Sequence, residues 1–324
     1  MRLLVTGGGG FIGSNLVRMA LCHPQVEDVR VLDDFSTGHE VNLDGVPVDL
    51  RRGSVLDPDA LKAAIVGVDS VVHLAAIPSV PRSLEDPRRS YEVNVSGTVE
   101  VLEACRAYDV GHVVLASSSS VYGANPAEYK NERGWVRPLS PYAAGKLAAE
   151  QMALAYQQSF GLGVSAFRFF NVYGPRQPAG HTYSAVVPVF VDALLRGVPV
   201  PVHGDGAQTR DFTFVDTVCG VLLESVVSMR TCAEPVNLAF GTRTSIVELI
   251  GLLEEVTDRP AQIDWRPTRP ADVRASRADS GLFRELYPTA HAVPLRDGLR
   301  STAEWFGARP TSHPADSWSR VERP

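Results

Sequence analysis

The sequence is poor in cysteine, and its few cysteines are not arranged as ligands. Cys22, Cys105, Cys219 and Cys232 are scattered over 324 residues without the short spacing of a metal site. Three of them lie in apolar helical or strand-like segments, where cysteine usually serves as a small buried hydrophobic residue. We therefore expect no metal centre and no cysteine nucleophile.

The chain also lacks a basic excess and a long apolar run. Its net charge is −6, and no cluster of lysine or arginine indicates a nucleic-acid surface. No apolar run approaches the length of a membrane span, and the N-terminus has the pattern of a strand rather than of a signal peptide. With 44% hydrophobic residues, the sequence predicts a cytoplasmic globular protein without a nucleic-acid or membrane partner and with a core large enough for two lobes.

Glycine, in contrast, is concentrated at the beginning of the chain. An apolar strand over residues 3–6 is followed by Gly7, Gly10 and Gly13, and then by a helical pattern. Such a turn brings the backbone close to a phosphate group, and the helix that follows directs free N–H groups and its positive dipole end at the anion. The pattern predicts a pyrophosphate-binding turn.

A pair of carboxylates ends the second apolar strand. Residues 29–32 lead into Asp33 and Asp34, about twenty residues after the glycines. A carboxylate at this position accepts hydrogen bonds from the adenosine ribose hydroxyls and repels a 2′-phosphate. The sequence therefore predicts NAD rather than NADP as the cofactor.

Strand-like runs alternate with helical periodicity through the first half of the chain. The runs cover residues 3–6, 29–32, 71–75, 113–117 and 164–169, and the helical patterns cover 11–22, 58–66, 87–108 and 141–160. This rhythm predicts an α/β fold with a Rossmann-type doubly wound parallel sheet. We expect an NAD-binding domain over residues 1–167 and a smaller, interleaved α/β substrate-binding lobe over 168–324, with segments near 210–240 returning to the first domain.

A candidate catalytic group follows the fifth strand-like run. That run ends in serines at positions 117–120, and a later helix carries Tyr142 and Lys146, whose four-residue spacing places them on one face. A lysine ammonium near a phenol lowers the phenol pKa and makes it a usable base near neutral pH. A serine hydroxyl from the facing strand can bind the same substrate oxygen.

These motifs together resemble the extended short-chain dehydrogenase/reductases, and within that superfamily the UDP-hexose 4-epimerases of the NAD-dependent epimerase/dehydratase family. The resemblance extends over nearly the whole chain. Its motifs lie at residues 6–13, 31–34, 73–76, 93–98, 117–123, 142–146, 168–176, 204–206, 208–212 and 269–272.

The resemblance implies how the reaction proceeds. Tyr142 would remove the proton of the sugar 4-hydroxyl, Ser118 would hydrogen-bond the same oxygen, and Lys146 would hold the nicotinamide ribose. The 4-keto sugar would turn within the site and be reduced on its other face, so that NAD stays bound throughout.

The resemblance also implies the binding residues. The cofactor would contact Gly7, Gly10, Phe11, Ile12, Gly13, Asp33, Asp34, Thr37, Gly38, Ser54, Val55, Leu74, Ala75, Ala76, Asn94, Ala116, Ser117, Tyr142, Lys146 and Phe169. The UDP-sugar would contact Ser118, Ser119, Tyr142, Asn171, Val186, Val187, Val202, Arg210, Arg269, Asp272 and Ser276. Two departures, Ser54 in place of an aspartate and Pro78 in place of a lysine, predict weaker cofactor binding.

Several positions discriminate among related activities. Relatives that eliminate across C5–C6 have acidic residues where Ser119 and Ser120 stand, and hydroxyls cannot replace that acid and base. Uronate 4-epimerases tend to have threonine in place of Asn171 and arginine in place of Pro178, so a neutral hexose is favoured. A uronate or dTDP-hexose epimerase, or a 4-ketoreductase, stays open. A non-catalytic NAD sensor is disfavoured because the Ser, Tyr and Lys are all present.

Ser276 is the position that would form the pocket wall beside the sugar C2 substituent. A serine there leaves room for an N-acetyl group, so the resemblance implies activity on UDP-GlcNAc and UDP-GalNAc, with UDP-Glc and UDP-Gal also possible. The helices predicted over 87–108 and 141–160 should pair with their copies in a homodimer.

Overall fold

The computed structural model describes residues 1–180, 184–268 and 274–308. Its strands, in chain order, are β1 (Arg2–Thr6), β2 (Asp28–Asp33), β3 (Asp49–Arg52), β4 (Ser70–His73), β5 (His112–Ser118), β6 (Tyr129–Lys130), β7 (Gly163–Phe169), β8 (Asn171–Tyr173), β9 (Val200–His203), β10 (Thr209–Arg210), β11 (Phe212–Phe214), β12 (Val236–Leu238), β13 (Thr244–Ser245), β14 (Ile263–Arg266) and β15 (Ala275–Ala278).

The helices flank these strands. In chain order they are α1 (Phe11–Leu21), α2 (Pro58–Ile65), α3 (Val80–Glu85), α4 (Pro87–Tyr91), α5 (Gly97–Ala107), α6 (Pro141–Phe160), α7 (Val186–Arg196), α8 (Val215–Val227), α9 (Ile246–Thr257), α10 (Gly281–Leu286) and α11 (Leu295–Gly307). Short 3₁₀ turns cover Glu40–Leu43 and Ser119–Tyr122, and a π-helical turn covers Glu92–Ser96.

Seven parallel strands form the main sheet, in the order β12-β7-β5-β4-β1-β2-β3. The order reverses between β1 and β4, because the chain first builds outward to β3 and then crosses back to the other side of β1. In doubly wound sheets a ligand binds at the carboxyl ends of the strands beside such a reversal. The predicted α/β fold with a doubly wound parallel sheet is confirmed.

Local signals fix the ends of helix α6, which carries the candidate catalytic residues. The Ser140 hydroxyl accepts a hydrogen bond from Ala143 N, and Pro141 occupies the first turn, where its missing N–H costs nothing. Gly161 ends the helix in the left-handed conformation, with φ +73°. The observed limits therefore coincide with those predicted from the sequence.

The helix predicted over residues 87–108 is confirmed as a continuous helical stretch over residues 87–107, but it contains a π-helical turn that was not predicted. The chain forms α4, then the π-helical turn, then α5, and α3 precedes them. A π turn inserts one extra residue into a helix. The hydrophobic periodicity of the sequence shows no clear break at this insertion, so the turn could not be predicted. The turn contains Asn94, whose side chain bonds to the loop after β4 rather than to its own helix. Helices α3, α4 and α5 and the π-helical turn all pack against α6.

The second lobe is built from several short sheets. One has the order β13-β10-β15-β6, and two further pairs are β11 with β8 and β14 with β9. Of the segments near 210–240, β12 lies in the main sheet beside β7, and α8 packs against α1, β4 and β5. Strand β11 instead pairs with β8. The chain thus passes between the main sheet and the lobe more than once.

The structure shows which cysteines are buried and whether any helix could span a membrane. Cys105 and Cys219 are buried, as predicted, but Cys22 is exposed because α1 ends at the preceding residue. Burial raises the pKa of the Cys105 thiol to about 12, which keeps it protonated. In the described part of the chain, no helix is long and apolar enough to span a bilayer.

Candidate active site

A cavity of about 430 Å³ lies at the carboxyl edge of the main sheet. It extends from Asp33 at the end of β2, past the glycine turn after β1, to Ser118, Tyr142 and Lys146. Its position beside the β1–β4 reversal is the one that the topology favours for a ligand. An elongated site of this kind can accept an extended dinucleotide.

The glycine turn is a cradle that side chains would fill. Gly7 has φ +72°, and a Cβ atom built on it would lie 2.7 Å from the backbone nitrogen of Ala75. A Cβ atom on Gly13 would collide with the carbonyl oxygen of Gly7. Both positions therefore need glycine, the first for its conformation and the second for the close packing of α1 on the turn.

The N-terminus of α1 faces this cradle without a side-chain cap. Gly10 is the N-cap residue, and the first turn contains no acidic side chain. Phe11, Ile12 and Gly13 of that turn line the cavity. Uncapped N–H groups and the positive end of the helix dipole suit a diphosphate, so these residues fit the pyrophosphate of NAD.

Two adjacent carboxylates at the end of β2 have different surroundings. Asp33 is buried and accepts hydrogen bonds from Gly9 N at 2.8 Å and Phe35 N at 2.7 Å. Burial raises the pKa of Asp33, while these two bonds act in the opposite direction. Asp34 is exposed and accepts from the Ser36 backbone and hydroxyl. Asp33 is therefore the fixed carboxylate that can receive the ribose hydroxyls.

Replacing Asp33 with alanine should weaken NAD retention by about tenfold or more, because a hydrogen bond to a charged acceptor contributes about 1.5–3 kcal/mol. Asp34→Ala is the matched control and should have a smaller effect. The measurement is the NAD content of the purified protein, followed by titration of the cofactor-depleted protein with NAD. Full NAD occupancy in Asp33→Ala would contradict the ribose role.

The candidate catalytic residues meet at the other end of the cavity. Ser118 ends β5, and its Oγ accepts hydrogen bonds from Ser120 N at 3.2 Å and from Ser120 Oγ at 2.9 Å. Lys146 is buried in α6, where its Nζ donates to the carbonyl oxygen of Ala116 at 2.9 Å. Tyr142 lies one turn before Lys146 and near the Ser118 side chain.

The electrostatics of this group differ from the expectation. Burial raises the pKa of Tyr142, and the nearby Ser118 side chain only partly opposes that shift. Burial lowers the pKa of Lys146 to about 8. The predicted lowering of the Tyr142 pKa is thus wrong for the chain by itself, because the loss of hydration dominates. A base at Tyr142 needs additional positive charge, which an oxidised nicotinamide carries.

Most predicted cofactor residues line the cavity. The exception is Asn94, whose side chain accepts from Ile77 N at 2.8 Å and donates to Ile77 O at 3.3 Å. This pair of bonds fixes the loop between β4 and α3, and neighbouring Ala75 and Ala76 line the cavity. Asn94 therefore supports the wall of the cavity from behind.

A buried histidine extends this support. Thr98 donates to Asn94 O at 2.8 Å, so it accepts from His73 Nε2 at 3.1 Å, and His73 Nδ1 accepts from the Thr6 hydroxyl at 2.7 Å. Burial and then the nearby Lys146 charge lower the pKa of His73 to about 3. The imidazole is neutral and ties β1 and β4 to α5.

His73 should make the protein sensitive to acid. Between pH 6.5 and about 3 the unfolded chain protonates this histidine and the folded chain does not, so stability falls as pH falls. The difference in unfolding free energy between wild type and His73→Asn should shrink by roughly 2–3 kcal/mol from pH 6.5 to 4.5. Denaturant unfolding at several pH values measures this difference. Parallel stability curves for the two proteins would contradict a neutral, buried His73.

The predicted substrate residues are only partly brought together. Ser118 and Tyr142 line the cavity, which also reaches Ser184 and Ala185 just before α7. Val187 and Val202 are buried in the core of the second lobe, and Val186 is half-buried at the start of α7. Ser119 lies in the 3₁₀ turn and does not line the cavity. Arg269 and Asp272 lie outside the described residues.

Three other predicted substrate residues lie on strands of the second lobe. Arg210 on β10 and Ser276 on β15 are paired in register, and the Arg210 guanidinium donates to Thr209 O at 2.9 Å. Asn171 on β8 donates to Asp211 O at 3.1 Å. None of the three lines the cavity. Their roles toward a UDP-sugar stay predictions.

Sequence reasoning missed some residues that line the cavity. Arg176 and Gln177 follow β8, and Arg82 lies in α3. Arg176 has a left-handed backbone, with φ +68°, and donates to Asn15 Oδ1 at 2.7 Å. Its place in the motif over residues 168–176 was the only available signal, because nothing local relates that loop to α1. Over the described ranges, no cluster of three His, Cys, Asp or Glu side chains could hold a metal ion.

Comparison with known proteins agrees with this geometry. The model of the NAD-dependent epimerase/dehydratase family matches residues 3–237. A UDP-glucose 4-epimerase of Mycolicibacterium smegmatis is 37% identical, over 94% of this chain and 98% of that protein. A dTDP-glucose 4,6-dehydratase of Streptomyces griseus is 36% identical, over 94% of this chain and 93% of that protein.

A solved structure shows the same fold. It is a UDP-N-acetylglucosamine 4-epimerase from Methanobrevibacter ruminantium in complex with UDP-N-acetylmuramic acid, with a TM-score of 0.89 and 32% identity, and the match covers 94% of this chain and 97% of that one. The comparisons establish the family and its cofactor, NAD. Because the relatives include both an epimerase and a dehydratase, the reaction has to be inferred from the residues of the site. With a family model matched over most of its length, this chain belongs to the NAD-dependent epimerase/dehydratase family.

Proposed function

We propose that the protein is a nucleotide-sugar 4-epimerase that keeps NAD bound through each turnover. The observation that carries the proposal is the juxtaposition of Ser118 and Tyr142 in a cavity whose other half fits NAD. A serine hydroxyl and a phenol that lie near each other in one cavity can bind the same sugar oxygen. The named activities of the relatives support the same class of reaction.

The chain's own residues then act at the sugar C4 oxygen. Tyr142 takes the proton of the 4-hydroxyl, and Ser118 holds that oxygen by a hydrogen bond. Lys146, buried beside them, places a positive charge near the phenol when it is protonated. Bound NAD would supply the hydride acceptor and donor for the sugar C4. Tyr142 would hold the proton and return it to the C4 oxygen of the epimer.

The carboxylates of the cavity favour epimerisation over elimination. Of the described residues that line it, only Asp33 and Asp34 carry carboxylates, and both lie at the end of β2, away from Tyr142. Elimination across C5–C6 needs a base and an acid near the sugar. Ser120 cannot serve, because it is a neutral hydroxyl that donates to Ser118. Simple oxidation and reduction at C4 is the chemistry that remains.

For the substrate, we propose UDP-GlcNAc and UDP-GalNAc, with UDP-Glc and UDP-Gal as further substrates. Ser276 supports this choice because it is small and half-buried, next to Arg210 across the β10–β15 pair. An arginine suits a diphosphate, since its planar guanidinium matches phosphate oxygens. UDP-glucuronate is the main alternative, and Pro178, which lines the cavity without a charge, disfavours it.

Incubation without added cofactor tests the proposal. The purified protein is mixed in turn with UDP-GlcNAc, UDP-Glc and UDP-GlcA, and the products are resolved by anion-exchange chromatography. We expect the C4 epimer of UDP-GlcNAc, and a mixture that reaches the same ratio from either epimer. A product that has lost water or carbon dioxide, or a requirement for stoichiometric NADH, would contradict 4-epimerase activity.

We also propose that the chain acts in the cytoplasm as a homodimer. Helices α4 and α5 pack against α6, and Tyr91 at the end of α4 and Phe160 at the end of α6 are exposed, at 58% and 55%. Large exposed apolar side chains of this kind suit an interface between two copies.

A further inference from the structure

A buried ion pair lies directly behind the candidate catalytic residues. Glu150 of α6 is completely buried, and the Arg168 side chain on β7 is 3% exposed. Arg168 donates to Glu150 through Nε at 2.9 Å and through its second terminal nitrogen at 2.6 Å. Ser117 of β5 donates its hydroxyl to the same carboxylate at 2.6 Å. Three elements therefore meet at one side chain.

Stability alone is a weak reason for such a pair. Removing two charges from water is costly, and a well-packed apolar pair of similar volume is often as stable or more stable. The location of the pair is more informative. Tyr142, Lys146 and Glu150 follow at four-residue intervals and so lie on one face of α6.

We propose that Glu150 and Arg168 are positioning residues that hold α6 against β5 so that Tyr142 and Ser118 reach the same substrate oxygen. The expected effect on turnover rests on the proposed 4-epimerase reaction. The expected effect on structure rests only on the closeness of Tyr142 to Ser118.

The contacts between α6 and β5 form a frame around the reacting groups. Lys146 bonds to the carbonyl oxygen of Ala116, and Glu150 bonds to the side chain of Ser117. Two successive turns of α6 are thus fixed to two successive residues of β5, and Ser118 is the next residue along that strand. Arg168 completes the frame because it is paired in register with Ser117.

The arginine is itself held from its other side. Its guanidinium lies 4.9 Å from the centre of the Tyr122 ring and donates to Glu132 O at 3.2 Å. The Tyr122 hydroxyl donates to Asn237 Oδ1 at 2.7 Å. Tyr122 ends the 3₁₀ turn that follows Ser118. The pair therefore connects both sides of Ser118 to the catalytic helix.

A double variant separates positioning from stability. Glu150→Leu combined with Arg168→Met removes both charges of the pair, whereas either single variant would leave the other partner's charge buried and uncompensated. In the folded double variant we expect kcat to fall by about 10²-fold, with KM and NAD content little changed, because a displacement of about 1 Å is enough for such a loss. Glu150→Gln keeps an acceptor for Ser117 and Arg168 but leaves the arginine charge uncompensated, so this variant should lose stability and still keep most of the activity.

Two controls complete the comparison. Ile65→Ala, in the buried face of α2, should lower Tm without changing kcat and so shows the effect of lost stability alone. If the double variant does not fold, Ser117→Ala tests the proposal in its place. This variant removes the bond between Ser117 and Glu150 and keeps the ion pair. A folded double variant, or else Ser117→Ala, with kcat within about threefold of wild type would overturn the proposal.

A second readout does not depend on turnover. The ionisation of Tyr142 is followed as phenolate absorbance, with Tyr142→Phe in the same background as the reference. Loosening α6 should admit water and move the Tyr142 pKa down toward its ordinary value. If wild type epimerises no sugar, the proposed function fails while this titration still tests the frame. An unchanged Tyr142 pKa in the folded double variant would overturn the positioning role.

Discussion

Replacing Tyr142 with phenylalanine should lower kcat by about 10²–10⁴-fold, the usual cost of removing a general base. The phenyl ring fills the same space on α6, so the helix and its contacts with β5 should persist. The variant loses only the phenol oxygen, which lies near Ser118 and would take the substrate proton. NAD content and nucleotide-sugar affinity should therefore stay close to those of wild type.

Tyr173→Phe is the matched control for this variant. Tyr173 is buried in the second lobe, where its hydroxyl donates to Leu295 O at 3.3 Å. Its removal should reduce stability slightly without affecting turnover. A Tyr142→Phe protein that keeps more than about a tenth of wild-type kcat would show that another group is the base.

Replacing Ser276 with tyrosine should reduce turnover of UDP-GlcNAc selectively. If Ser276 lies beside the sugar C2 substituent, a large ring would occupy the space of the acetamido group and leave room for a hydroxyl. Overpacking costs on the order of 1–3 kcal/mol, or roughly 5- to 150-fold. The measured quantity is the ratio of kcat/KM for UDP-GlcNAc to that for UDP-Glc, because the ratio cancels general damage.

Ser276→Ala provides the control for this experiment. It removes the hydroxyl without adding volume, so the ratio should stay close to that of wild type. If the ratio also stays unchanged in Ser276→Tyr, then Ser276 does not limit the pocket. The case for an N-acetylhexosamine substrate would then lose its main support.

The residues predicted for the cofactor, apart from Asn94, line one cavity, and the sequence could predict this because their placement depends on local geometry. Gly7, Gly13 and Asp33 lie within one βαβ unit: Gly7 follows β1, Gly13 is in the first turn of α1, and Asp33 ends β2. The close packing at the glycines excludes larger residues, and the end of a strand fixes where the carboxylate lies, so few other residues could occupy these positions. The spacing of Tyr142 and Lys146 is similarly local, since both belong to one helix.

What the sequence could not predict depends on contacts between distant segments. The π-helical turn at Glu92–Ser96 places the Asn94 side chain against the loop at Ile77, and the hydrophobic periodicity of the sequence does not predict this turn. Arg176 reaches Asn15 across 161 residues of chain. The raised pKa of Tyr142 could not be predicted either. The sequence gives the spacing of Tyr142 and Lys146 along one helix, whereas the burial of Tyr142 depends on how the whole chain packs.

The most direct test of a 4-keto intermediate with bound NAD is the fate of a label at C4. UDP-GlcNAc carrying deuterium at C4 is incubated with the purified protein without added cofactor, and both nucleotide sugars are analysed by NMR and mass spectrometry. We predict that deuterium is retained at C4 of both epimers, because the same hydride leaves and returns within one site. Deuterium found at C6, or lost to the medium, would contradict epimerisation at C4.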